Sequence, residues 1–170
     1  QRQHLELTRN LAQRFNQRFG ETLRVPEPRI MTETAKIYDL QNPTAKMSKS
    51  AESENGLIRL LDPAKKNAKK IKSAVTDDGA EIRFDRTAKP GVSNLLTIYS
   101  SLTDRPIDDI VADYEGKMYG HLKVDLAELA VEVFTPVRTR TNELLEDRAQ
   151  LMDILEQGRQ KAAAEAEKTL

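Results

Sequence analysis

Lys46-Met47-Ser48-Lys49-Ser50 sits in a stretch, residues 42–55, that offers no periodic apolar face. Asn42-Pro43-Thr44 opens it with a turn signal, and Ala51–Asn55 continues it as polar chain. The segment therefore reads as a mobile surface loop. Its two lysines stand three apart, with two hydroxyls between and after them. A loop so equipped can close over a triphosphate. The ammonium groups would neutralise the leaving pyrophosphate, and the hydroxyls and free backbone donors would take further oxygens. A Lys/Ser-rich loop can also simply be soluble.

Outward from the loop, the chain changes character. Ile37-Tyr38-Asp39-Leu40 reads as a short strand or turn entry, and Pro26 and Pro28 keep residues 21–35 out of a helix. Earlier still, Leu7, Leu11, Phe15 and Phe19 recur every four residues, the stripe of an amphipathic helix over 4–19 with Gly20 as its C-cap. That stripe predicts core packing against a partner surface. Downstream, Leu57–Leu61 is a short apolar run, and Asp62-Pro63 predicts an N-cap and first turn. The helix it opens runs to about Val75, with Ala64, Ala68, Ile71 and Val75 buried. Lys65, Lys66, Lys69, Lys70 and Lys72 cover the rest, as a solvated face or as phosphate-backbone contacts.

Asp77-Asp78-Gly79 predicts a turn, and residues 81–85 alternate like an edge strand. Pro90-Gly91 precedes a helix carrying Leu95, Leu96, Tyr99 and Leu102, and Thr103 or Asp104 caps a short one over about 105–114. From Val124 the pattern is helical, with Leu126, Leu129, Ala130, Val133 and Val137 on one face and Pro136 expected to kink or split it. Leu144, Leu145, Leu151, Met152 and Leu155 mark a last run, and Ala162–Ala166 a fraying tail. The fold class is α/β plus all-α, mostly α: residues 1–60 a piece of a Rossmann-like nucleotide-binding domain, 61–170 a helical bundle.

The 27 basic and 27 acidic residues cancel, but not locally. Residues 1–75 hold 15 basic against 8 acidic side chains, and residues 76–170 hold 12 against 19. A polyanion would meet the first half. With no cysteine among 170 residues, disulfides, thiol nucleophiles and Cys-ligated metals are excluded, and a reducing compartment fits. No apolar run is long enough to span a membrane. The chain opens on Gln1, a few residues before a helix, and reads as truncated.

KMSKS also matches the second signature of class I aminoacyl-tRNA synthetases. Further strings carry the likeness: Gln1 to Arg9, Ala35 to Leu40, Pro43 to Ala45, Ile71 to Asp77, Lys89 to Leu96 and Tyr114 to Gly120. Together they resemble the tryptophanyl branch of bacterial type, along essentially the whole chain. The resemblance implies activation of L-tryptophan with ATP, Mg²⁺ riding on the phosphates, and transfer to tRNA(Trp). It implies a cytoplasmic protein, a homodimer when intact, and no metal site of its own in this chain. Residue by residue, Lys49 matches the loop lysine that stabilises developing charge, and Lys46 the one that contacts phosphate. Ser48 and Ser50 fall with them in the ATP loop, and Ile37 and the Met47 backbone match positions lining the adenine. Gln1 matches the glutamine closing a GxDQ motif near the tryptophan ammonium. The tyrosyl branch and a non-catalytic tRNA- or protein-binding module are the alternatives.

The family's HIGH-like motif and the acidic partner of the indole N–H have no counterpart here, so the chain corresponds to a C-terminal half. The isolated 170 residues are expected to be inactive, and residues 61–170 correspond to the anticodon-binding domain. His4 reads as structural or ligand-shaping rather than as an acid–base catalyst, His121 as an exposed helix-start residue, Asp108, Asp109 and Asp113 as a solvated face, and Tyr114 and Tyr119 as packing and turn residues.

Overall fold

The computed structural model describes residues 2–29, 36–50 and 53–168, grouped in two compact units, one of residues up to 32 with 147 onward and the other of residues 33–146. In chain order the helices are α1 (Arg2–Phe19), α2 (Ala64–Lys72), α3 (Pro90–Thr103), α4 (Ile107–Asp113), α5 (Tyr119–Glu146) and α6 (Arg148–Ala166), with a single 3-10 turn at Glu54–Gly56. Among the described residues there is no strand, only an isolated antiparallel bridge between Tyr38 and Lys46. The described residues are thus mostly helical, in keeping with the mostly α character expected of this piece of an α/β plus all-α architecture.

In the first unit, α1 ends as its sequence predicts, with Gly20 at φ 83°. Asn16 ties the following turn back to the helix: its Oδ1 accepts from the Thr22 and Leu23 amides at 3.1 and 2.8 Å. The expected burial of the stripe is not found. Leu7, Leu11 and Phe19 are exposed, and Ala12 is the helix's buried residue. Phe15 and Phe19 instead stack on each other, with ring centroids 4.7 Å apart. In α6, Asp147 caps the first turn by accepting from the Gln150 amide at 2.9 Å, and no residue of that helix is buried.

The second unit holds the core. Helix α5 packs on α2 and on α3, and α3 on α4. Ile71, Val92, Leu95, Leu96, Ile110, Leu122 and Leu126 are fully buried there. Each such side chain contributes about 1.5–3 kcal/mol by leaving water. Pro136 does not split α5, which continues through it to Glu146. The apolar face around and beyond it is largely solvated, since Val133, Val137 and Leu145 are exposed.

Helix α2 departs from its reading. It stops at Lys72, Val75 is exposed, and the buried positions are Asn67, Lys70 and Ile71. Lys70 is thus no surface lysine. Its Nζ donates to the Leu57 carbonyl at 2.7 Å and to Asp62 Oδ2 at 2.8 Å. Asp62 accordingly makes no N-cap bond; its carboxylate is committed to Lys70 and, at 3.4 Å, to Lys66. Lys65, Lys69 and Lys72 are exposed.

Residues 81–85, expected as an edge strand, form no strand. The Asp85 amide donates to Ser93 Oγ on α3 at 2.8 Å, so a helix side chain replaces the ladder. Behind them lies a polar cluster. Lys89 Nζ reaches Asp77 Oδ1 at 3.0 Å and the Tyr119 hydroxyl at 2.7 Å, and that hydroxyl donates to Asp77 at 2.7 Å. Burial opposes the Asp77 charge. The bonds from Tyr119, Lys89 and the Gly79 amide outweigh it and hold the carboxyl at about 2.

Candidate functional site

Residues 37–40 form the spine on which the KMSKS loop is hung. On one edge, Ile37 O accepts from the Met47 amide at 3.0 Å, and the Asp39 amide donates to Ala45 O at 2.9 Å. These bonds flank the Tyr38–Lys46 bridge and make a minimal hairpin. Its turn closes through Ala45 N to Asn42 O at 2.9 Å, and Asn42 Oδ1 accepts the Thr44 hydroxyl at 2.7 Å. The other edge of the spine faces the helices. The Leu40 amide donates to Gly56 O at 3.0 Å, Leu40 O accepts from the Val75 amide at 2.8 Å, and Tyr38 is held by the Asn94 side chain. Both stems of the loop, at Lys46 and at Gly56, are therefore fastened to the same four residues.

The spine is strand-like by alternation, as its sequence predicts. A continuous strand does not form because its second edge is completed by the Asn94 side chain and by isolated backbone groups of two segments, at Gly56 and Val75. Asp39 is buried and accepts from the Gln41 and Asn42 amides at 2.7 and 3.0 Å. Its carboxylate occupies the space where any Cβ on residue 56 would stand, which is why glycine fits there.

The structure brings Ile37 and Met47 together, both half-buried against the core, while Lys46, Ser48, Lys49 and Ser50 are exposed beyond them. Ser48 and Ser50 share a hydroxyl–hydroxyl contact of 2.9 Å, and the Ser50 amide donates to Ser48 Oγ at 3.3 Å. Two half-buried apolar residues thus stand beside exposed lysines and hydroxyls in this segment. Gln1 lies outside the described residues. A cleft of about 230 Å³ adjoins the spine, lined by Tyr38, Pro43, Thr44, Arg86, Ser93 and Asn94 among others.

His121 is exposed near the α5 start, where its Nδ1 accepts from the Met118 amide at 3.3 Å. Tyr114 and Tyr119 are buried. Burial raises the Tyr114 phenol, and its bond to Asp125 raises it further. Among the described residues no group of three or more His, Asp or Glu side chains could hold a metal ion. Sequence reasoning passed over Asn94; its signal is an amide inside the apolar run Val92–Leu96.

Comparisons with known proteins agree with one another. Residues 1–135 match the family described as tRNA synthetases class I (W and Y). The whole chain is 58% identical to tryptophan–tRNA ligase 2 of Streptomyces avermitilis and 52% identical to the tryptophan–tRNA ligase of Mycobacterium leprae, covering 50% of each. Among solved structures, tryptophanyl-tRNA synthetase of Mycoplasma pneumoniae superposes with a TM-score of 0.83 at 38% identity, over 99% of this chain and 51% of that one. The Campylobacter jejuni enzyme complexed with ADP and tryptophan gives a TM-score of 0.62 at 34% identity, over 98% of this chain and 50% of its own. The chain spans about half the length of the curated relatives it matches.

Proposed function

We propose, because this chain belongs to the class I tRNA synthetases of the W and Y family, that it is the KMSKS-bearing part of a tryptophan–tRNA ligase. The observation that carries the reading is the hairpin that sets Ile37 beside Met47 and leaves Lys46 and Lys49 exposed at its lip. In the reaction, the tryptophan carboxylate attacks the α-phosphorus of ATP and pyrophosphate leaves. Ile37 and the Met47 backbone line the adenine. Lys46 holds phosphate, Ser48 and Ser50 take further oxygens, and Lys49 meets the charge that grows on the departing pyrophosphate. An ammonium that engages only as charge develops lowers the barrier more than it tightens ground-state binding. Mg²⁺ enters with the phosphates as part of the substrate.

On this reading residues 1–60 complete the catalytic domain, and residues 61–170 carry the anticodon contacts of tRNA(Trp). Gln1 lies by the tryptophan ammonium, and the intact enzyme is a cytoplasmic homodimer. The test is amino-acid-dependent ATP–pyrophosphate exchange by the intact protein that contains this chain. Exchange driven by tryptophan and not by tyrosine is expected; exchange driven by tyrosine would overturn the assignment.

A further inference from the structure

The side-chain amide of Asn94 fastens the KMSKS spine to helix α3. Asn94 is buried at 3% exposure, between Val92 and Leu96, where an apolar residue would satisfy packing alone. Its Oδ1 accepts from the Tyr38 amide and its Nδ2 donates to the Tyr38 carbonyl, both at 2.8 Å. That paired contact is what a neighbouring strand would make to one residue of an antiparallel ladder. Aspartate lacks the donor, leucine lacks both groups, and glutamine is one methylene too long for the same seat.

We propose that Asn94 is a positioning residue for nucleotide activation: it sets the register of Tyr38 and, through the Tyr38–Lys46 bridge, the approach of Lys46 and Lys49 to the phosphates. The inference rests on the functional reading above. Leu40 is pinned at the far end of the spine by Gly56 and Val75, and Tyr38 cannot shift along α3 without carrying the neighbouring Ile37–Met47 bond with it, so the lip of the site takes part of its alignment from this buried amide. A displacement of about 1 Å at reacting groups is worth about a hundredfold in rate.

The test is a double-variant cycle in the intact protein, with tryptophan-dependent pyrophosphate exchange as the assay. Asn94→Asp and Asn94→Leu are each combined with Lys49→Ala, and thermal melting identifies the variants that fold. Asn94→Asp keeps the volume and carries the test if the leucine variant fails to fold. Expected is a fall in kcat of about tenfold to a hundredfold, with the KM for tryptophan within about twofold. In the Lys49→Ala background the same change should cost much less, because both residues act through one loop. A folded Asn94 variant with unchanged kcat, or one whose kcat falls by the same factor with and without Lys49, would overturn the inference. Wild-type kcat in Lys49→Ala alone would overturn the functional reading itself.

Discussion

Replacing Lys70 by methionine tests the most unexpected feature of the core. Lys65, Lys69 and Lys72 are exposed and can lose their charge cheaply, but Lys70 is 3% exposed and holds two acceptors. Methionine fills the volume of the stem and removes the ammonium. The Leu57 carbonyl then loses its buried donor, a loss of about 1–3 kcal/mol. Asp62 loses its shortest ion pair, yet Lys66 remains 3.4 Å away, so its carboxylate is not stranded. The total should be about 2–4 kcal/mol, at or below the usual loss for a broken buried pair. Urea unfolding of the intact protein, followed by circular dichroism, should show a lower midpoint at unchanged slope. Lys69→Met, one residue away and exposed, should change stability by less than about 0.5 kcal/mol. Equal stabilities for the two variants would refute the buried pair.

Three further outcomes are expected. Changing Lys65, Lys69 and Lys72 together to Gln should weaken binding of every tRNA alike and flatten the salt dependence by up to about three units of slope, if each touches one phosphate; filter binding across a salt series checks it. The lowered carboxyls of Asp77 and Asp62 stabilise the fold fully above their ordinary value of 3.8; that contribution is lost as pH falls below it, for Asp77 through about 2. For Asp77 the loss is on the order of 2 kcal/mol, and urea midpoints measured from pH 5 to pH 2 should fall less steeply in Asp77→Asn. Gly56→Ala should drive a methyl into the Asp39 carboxylate, destabilise by about 1–3 kcal/mol, and lower the melting temperature.

Much of this arrangement was legible in the sequence because it follows local rules. Gly20, the Pro90 start of α3 and the turn signal at Asn42-Pro43-Thr44 each obey backbone chemistry carried by one or two residues. What escaped depends on partners far along the chain. The spine at 37–40 and the segment at 81–85 look like strands, but Asn94 and Ser93 of α3 take the place of neighbouring strands. No periodicity announces such a substitution. Lys70 reads as solvated because its helix is lysine-rich, and only the fold shows Asp62 and a buried carbonyl beneath it. The α1 stripe is a different case: an apolar period says which face seeks cover and not what covers it, and Leu7, Leu11 and Phe19 are exposed in this chain.

The central claim is that Lys49 stabilises charge appearing during adenylate formation. The most direct measurement compares Lys49→Ala with the wild type in the intact protein, by single-turnover activation of tryptophan alongside ATP dissociation constants. The rate should fall about a hundred- to a thousandfold, the usual loss for one transition-state donor, while ATP affinity changes far less. A dissociation constant that rises by as much as the rate falls would make Lys49 a ground-state binding residue and contradict the account.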